Sequence, residues 1–343
     1  MIRKKKVLLI RLDKIGDLIC TLPADQILDP ALFEVTWVIQ KGLGKLLDLA
    51  DKKYRYLEID KNNPNPAQEM FSQFLLQNNF DIAVSFQCPW WINFELFKSR
   101  IPQRIGVLSQ WHSFLFLNAG LRQKRSQAIK HEFQYNLELV EKITGPSPRD
   151  AHDLVFRFQK PTSSKTLEKF GLVNYIVIHP GMMGSALNWP QSKYIEHIHF
   201  LLEQNKKIVI TGTKADDPYL TEIRKVFGPE SAAAEQYNEK YKDQIFWLQN
   251  QLDFSELLEV LNYAEYVIAP STGVAHMAAS LGKDIKAIYS PIKVHHPTRW
   301  APRAIRPDQH IEIFFPSAQC PATKHCLGAT CPHYNCMNQI QLS

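Results

Sequence analysis

Two carboxylates, Asp13 and Asp17, stand just beyond the apolar run KVLLI in the stretch RLDKIGDLICTLPA, residues 11–24. Acids so near the end of a first buried strand ask for a reason, because open α/β sheets meet their ligands beyond the carboxyl ends of their strands. A second group lies in PSTGVAHMAASLG, where Ser271, Thr272 and Gly273 fall between a strand and a helix. Two hydroxyls and exposed backbone N–H groups at a helix N-terminus can hold a diphosphate without a metal. The same residues would equally serve as an ordinary helix N-cap. His276, one turn into that helix, would either reach the same anion or simply pack.

The stretch HPGMMGSALNWP follows the same logic: a strand ends in Gly181, the turn passes Gly184 and Ser185, and Pro190 marks a new helix start. In ITGTKADDPYL, Thr211, Thr213 and Asp216 sit at another strand end, where an acid could bond a ribose hydroxyl. Neither stretch is a G-x-G-x-x-G dinucleotide fingerprint, and no Walker A lysine pattern occurs, which disfavours a Rossmann oxidoreductase. Cys20 and Cys88 are isolated and read as small apolar fillers, whereas Cys320, Cys326, Cys331 and Cys336 crowd into CPATKHCLGATCPHYNC with His325 and His333. That spacing lacks the C-x-x-C knuckle of a zinc site, so a structural tail is preferred to a metal or a disulfide, and no metal or cofactor is expected.

These candidates need a scaffold, and the hydropathy pattern supplies one. The runs KVLLIRL, VTWVI, YLEID, DIAVSF and RIGV read as short buried strands, separated by helical segments near 18–30, 43–50 and 67–79. KHEFQYNLELVEKITG has helical spacing and stops at Gly145 and Pro146. After a connection, YIVIHPG, KKIVITG, YVIAPST and IKAIYSP repeat the theme. A chain of 343 residues is long enough for two cores. The expectation is α/β: two Rossmann-like doubly wound domains facing across a cleft. Residues 1–158 form the first and 159–343 the second, which carries a cysteine-containing tail over 316–343 that returns toward the first domain.

The net charge of +6 is uneven, with 22 basic against 17 acidic residues in 1–158 and 18 against 17 in 159–343. Between Glu95 and Glu132 lie Lys98, Arg100, Arg104, Arg122, Lys124, Arg125 and Lys130 with no acid, interleaved with WHSFLFLNAGL. This is either a surface for something anionic and greasy or a buried aromatic element flanked by solvated charges. No basic-aromatic nucleic-acid motif accompanies it, so nucleic acid is not an expected partner. The longest apolar runs fall far short of the roughly 20 residues that cross a bilayer, and the N-terminal run meets an Asp too early for a signal peptide. The expected location is therefore the cytoplasm, with peripheral contact at the inner face of the cytoplasmic membrane.

Taken together, VLLIRLDKIGDLICTLPA, RIPQRIGV, KHEFQYNLELV, HPGMMGSALNWP, STGVAHMAASLG and HHPTRWAP resemble the heptosyltransferases of glycosyltransferase family 9, in family order across nearly the whole chain. The resemblance implies a GT-B fold and inverting, metal-independent transfer of heptose from ADP-heptose to the lipopolysaccharide inner core. Asp17 matches the family's general base, with Gly16 letting the turn bring it inward; Asp13 is better read as structural, capping the next helix. Implied donor contacts are Gly16, Gly181, Ser185, Asn188, Thr211, Thr213, Asp216, Ser271, Thr272, Gly273 and His276. Lys14, Arg104, Arg122, Lys124 and Arg125 would hold the phosphorylated, lipid-linked acceptor or anionic lipid. Two departures stand out: Ser271 replaces a common Asp, and Leu187–Asn188 replace a basic residue before the WP pair, for which Lys193, Lys214, Lys293 or Arg299 would compensate. Alternatives are another nucleotide sugar within the family, or a non-catalytic nucleotide-sugar-binding protein.

Overall fold

The computed structural model describes residues 3–184, 186–229, 240–241 and 243–342. The chain forms two compact units, Met1–Arg125 with Lys130–Phe156, and Ser126–Ile129 with Arg157–Ser343.

In the first unit, β1 (Lys5–Arg11) is buried from Val7 onward on both faces, as a central parallel strand must be. It is followed by α1 (Ile15–Ile19), β2 (Phe33–Gln40), α2 (Gly44–Asp48), β3 (Tyr56–Ile59), α3 (Pro64–Asn78), β4 (Ile82–Gln87), α4 (Trp90–Lys98), β5 (Gln103–Gly106), α5 (Trp111–Phe116) and α6 (Glu132–Thr144). The sheet order is β3-β2-β1-β4-β5 with parallel pairing throughout. The order reverses between β1 and β4, and ligands of such sheets bind at the reversal, beyond the strand ends. Asp13 and Asp17 follow β1 at that place.

The helix expected over 18–30 is instead α1 and a separate 3-10 turn, Leu22–Ile27. Pro23 lies at the start of that turn and has no N–H to extend the α1 ladder. Gly16 lies in the first turn of α1 and is not among the glycines with positive φ, so no left-handed bend explains it.

The second unit runs α7 (Lys165–Phe170), β6 (Tyr175–Ile178), α8 (Gln191–Glu203), β7 (Lys207–Ile210), α9 (Asp217–Phe227), β8 (Ile245–Trp247), α10 (Phe254–Tyr263), β9 (Val267–Pro270), α11 (Gly273–Ser280), β10 (Ile285–Ile288), α12 (Pro297–Trp300) and β11 (Ile311–Phe314). Its parallel sheet has the order β11-β10-β9-β6-β7-β8, reversing between β6 and β9. The edge strands β8 and β11 escape the hydropathy reading because both are short and without fully buried residues. The tail packs into the second unit. Met337 and Ile340 are buried in the core of the second with Trp189 and Tyr194, and the Trp189 indole N–H donates to the Ile340 carbonyl at 3.3 Å. Among the described residues no helix is long and apolar enough to cross a membrane.

Phe71 of α3 is fully buried in the first unit's core and meets Trp91 edge to face, with centroids 6.3 Å apart. Phe71→Ala should destabilise that unit by about 3–5 kcal/mol, read as a lower urea midpoint for its unfolding transition; an unchanged midpoint would show the site collapses without cost.

Candidate functional site

Arg11 ends β1 with its side chain 1% exposed. A guanidinium cannot shed its charge, so burial there requires carboxylates. Three supply it: Asp13 Oδ2 lies 3.0 Å from Nε, Asp17 Oδ1 2.6 Å from one terminal nitrogen, and Glu132 Oε1 3.3 Å from the other. Two further cations complete the network, Lys61 at 2.9 Å from Asp13 and Arg125 at 2.5 Å from Glu132. Asp13 therefore pairs with Arg11 and Lys61 and does not cap α1, whose N-cap is the exposed Lys14. The hydroxyl of Thr21 donates to the Asp17 carbonyl at 2.6 Å, and Asn136 of α6 donates to Thr21 at 3.0 Å, so α6 braces the entry helix from beneath.

The three acids are not equivalent. Glu132 is wholly buried, while Asp13 and Asp17 keep 27% and 23% of their side chains exposed and can meet a substrate. Asp13 faces two cations; Asp17 faces Arg11. Burial raises the Asp17 carboxyl pKa above the ordinary value, Arg11 draws it back, and the charges of Asp13 and Glu132 push it up again. A carboxylate held in place, partly open and more basic than usual, is suited to accept a proton.

The basic stretch divides once folded. Arg125 is buried against Glu132, and Lys130 pairs with Glu138 at 2.5 Å, because α6 brings back acids absent from the stretch itself. Arg125 is thus part of the buried network and no surface phosphate ligand. Arg104 is half-buried and commits its guanidinium to the carbonyls of Phe116 at 2.7 Å and Ile101 at 2.5 Å, shaping the turn more than awaiting a ligand. Arg122 and Lys124 remain exposed, with Arg122 over the Phe114 ring at 5.4 Å. Around them α4 and α5 leave Trp90, Phe97, Trp111, Phe114 and Leu115 between 47% and 67% exposed. A shallow depression beside them is lined by Phe97, Lys98, Arg100, Ile101, Pro102 and Arg104. The aromatic segment is therefore a surface and not a buried element.

In the second unit the predicted donor residues gather beyond β6, β7 and β9. After β6, His179 is buried and its Nδ1 lies 3.0 Å from the Thr211 hydroxyl; burial lowers its pKa to about 4, leaving it neutral near pH 7. Gly181 packs so tightly on Asp216 that a Cβ would stand 2.2 Å from the carboxyl carbon, so only glycine fits. Asp216 accepts from the N–H and hydroxyl of Thr213 through Oδ2, at 2.9 and 2.8 Å, and its buried Oδ1 has no hydrogen-bond partner among the described residues. Asn188 is bonded locally: its Nδ2 donates to the Pro180 carbonyl at 2.7 Å while Oδ1 accepts from Trp189 N–H and the Tyr194 hydroxyl. Through these bonds it shapes the Gly181 turn. Ser271, Thr272 and Gly273 stand half-exposed at the start of α11, where Thr272 is the N-cap and makes no side-chain cap bond, so the bland N-cap role does not use its hydroxyl. His276 is buried within α11. Ser185 lies outside the described residues.

Of the possible compensating cations, Lys193 pairs with Glu196 at 2.6 Å and Arg299 is buried over the Trp300 ring, while Lys214 and Lys293 are exposed. Sequence reasoning missed Arg11, Lys61 and Glu132. Only a basic residue ending an otherwise apolar strand hinted at the network.

A family model described as glycosyltransferase family 9 (heptosyltransferase) matches residues 70–322. A Haemophilus influenzae protein bearing the description "Putative glycosyltransferase" is 25% identical over 313 residues, covering 87% of this chain and 86% of the relative. Among solved structures, ADP-heptose LPS heptosyltransferase II of E. coli superposes with a TM-score of 0.71 at 17% identity, covering 92% of each chain. A family 9 glycosyl transferase from Veillonella parvula gives 0.70 at 17% identity, covering 91% of this chain and 86% of the other. E. coli heptosyltransferase WaaC with ADP gives 0.62 at 16% identity, covering 90% and 93%.

The charge network predicts its own titration. Removing a neighbouring negative charge should lower the raised Asp17 pKa, so in an NMR titration of carboxyl carbons Asp17 should titrate above the ordinary aspartate range and Asp13→Asn should move its midpoint to lower pH. A midpoint indifferent to Asp13 would mean that the two acids are not coupled.

Proposed function

The chain belongs to glycosyltransferase family 9, and from that premise we propose that this glycosyltransferase moves heptose from ADP-heptose to the lipopolysaccharide inner core, with inversion and without a metal. Asp17 acts as general base: it takes the proton of the acceptor hydroxyl as that oxygen forms a bond to the anomeric carbon and the bond from that carbon to the ADP oxygen breaks. The observation that carries this reading is the Asp17 carboxylate, partly open at the sheet reversal, fixed by Arg11 and raised in basicity by its surroundings.

On the donor side the backbone N–H groups of α11 and the Thr272 hydroxyl receive the diphosphate, and their fixed dipoles stabilise the charge that develops on the leaving ADP. The close Gly181 turn lets backbone approach the nucleotide, and the Asp216 carboxylate faces a ribose hydroxyl. Ser271 in place of an acid, and the apolar Leu187 packed on the core before Asn188, favour a second reading, another nucleotide sugar on the same fold.

The phosphorylated, lipid-linked acceptor and an anionic membrane fit the exposed face of α4 and α5, where aromatic rings stand beside Lys98, Arg100, Arg122 and Lys124. Amphipathic and aromatic side chains beside cations are what an anionic lipid surface holds.

Asp17→Asn should retain ADP affinity while turnover of ADP-heptose with a lipid A acceptor bearing Kdo falls roughly 100-fold or more. Equal turnover removes Asp17 as base; transfer from UDP- or GDP-sugars but not ADP-heptose selects the second reading. Added Mg2+ should leave ADP affinity unchanged.

Neutralising Arg100, Arg122 and Lys124 together should weaken sedimentation with anionic vesicles by about 1 kcal/mol per residue, more at low salt than at high. Binding insensitive to both would make this an ordinary solvated face.

A further inference from the structure

Residues 320–336 hold four of the six cysteines, and the fold gives them a common address. Cys320, Cys326, Cys331 and Cys336 line one cavity of about 30 Å3 in the second unit, walled on its other sides by apolar groups such as Leu187, Pro291 and Ile292. None of the four is paired in a disulfide.

The loop that carries them has little else to order it. Between Ala322 and Met337 no residue is buried, and the regular structure is limited to single 3-10 turns, Gly328–Thr330 and Cys336–Gln339. The anchors lie at its ends: Lys293 and Val294 donate to the carbonyls of Ala322 and Thr323 at 3.3 and 3.1 Å, while Met337 and Ile340 enter the core. A segment with so small an apolar core is commonly held by a cross-link or a metal. Four cysteines lining one small cavity supply the number and kind of donors that a closed tetrahedral sulfur site uses, whereas two disulfides would need the sulfurs sorted into pairs.

We propose that Cys320, Cys326, Cys331 and Cys336 bind one thiophilic divalent cation of the zinc class, which staples the tail to the second unit. Among the described residues no three ligating side chains already stand in ligand geometry. The thiols ride on irregular loop, so ligation closes the set by rotamer and loop adjustment, each cysteine giving up its proton to solvent and binding as thiolate. The staple is structural and remote from proton transfer at Asp17. It fixes the loop after β10 and, through Leu187 and the Trp189–Ile340 bond, the turn that Asn188 shapes. Neither the proposal nor its test depends on which sugar is transferred.

The reduced full-length protein should be titrated with Co2+ under anaerobic conditions. One equivalent per chain should develop the thiolate-to-cobalt band and visible ligand-field bands of a tetrahedral sulfur site, and Zn2+ should bleach them. Zn2+ should also shield four thiols from a disulfide reagent. Cys331→Ser should weaken Co2+ binding by more than the roughly 10–100-fold that loss of an outer-shell partner costs, while Cys88→Ala keeps the bands. A wild-type protein with no cobalt bands and four thiols that react equally with and without Zn2+ would overturn the proposal. So would a purified chain whose intact mass is four hydrogens short, which would assign the cluster to two disulfides.

Discussion

A permanent charge buried at the end of a central strand is the constraint around which the first unit is built. Arg11 cannot be neutralised, and an ion moved from water into a protein interior loses several kcal/mol of solvation unless partners replace the water. Those partners arrive from three directions: the loop after β1 through Asp13, α1 through Asp17, and α6 through Glu132. Satisfying one guanidinium thus fixes the entry helix against the sheet and docks α6 beneath it. The acid offered to solvent is held in one orientation because the charge behind it has nowhere else to go.

The second unit solves a different problem with different means. Its strand ends carry few charges and rely on close backbone approach, as where Gly181 lies against Asp216, and on hydroxyls and N–H groups at the start of α11. For the nucleotide proposed above, such a site would need no buried cation, and its neutral His179 adds no competing charge. On the reading proposed above, the chain separates two tasks, a tuned carboxylate on one unit and a dipolar cradle on the other.

The outer features follow from what the cores leave over. In α4 the inward residues Trp91, Ile92 and Leu96 fill the first unit's core, and the outward aromatic rings of α4 and α5 remain uncovered, with cations stacked on two of them, Arg104 on Phe97 and Arg122 on Phe114. A tail in which, among the described residues from Ala322 onward, three are buried, Ala322, Met337 and Ile340, needs another source of order, and its thiols are the groups available.

The sequence by itself determined the alternation of strands and helices, the segments after the strands that carry Asp17, Gly181 and Ser271, and the family, because burial periodicity and turn chemistry are local and are written in consecutive residues. It did not determine where helix 18–30 would break or that β8 and β11 exist, since a short 3-10 turn and half-buried edges leave weak patterns. Only the tertiary structure decided that Arg11 meets Glu132 across 121 positions, that Arg125 turns inward while Arg122 stays outside, and that four cysteines converge on one cavity. Pairing between distant segments depends on how the layers pack, and a charge count along the chain cannot say which side of a helix its partners will come from. In sequence the seven cations were either one surface or the flanks of a buried element; α6, which carries the acids that the stretch lacked, turns Arg125 inward onto Glu132 and pairs the exposed Lys130 with Glu138.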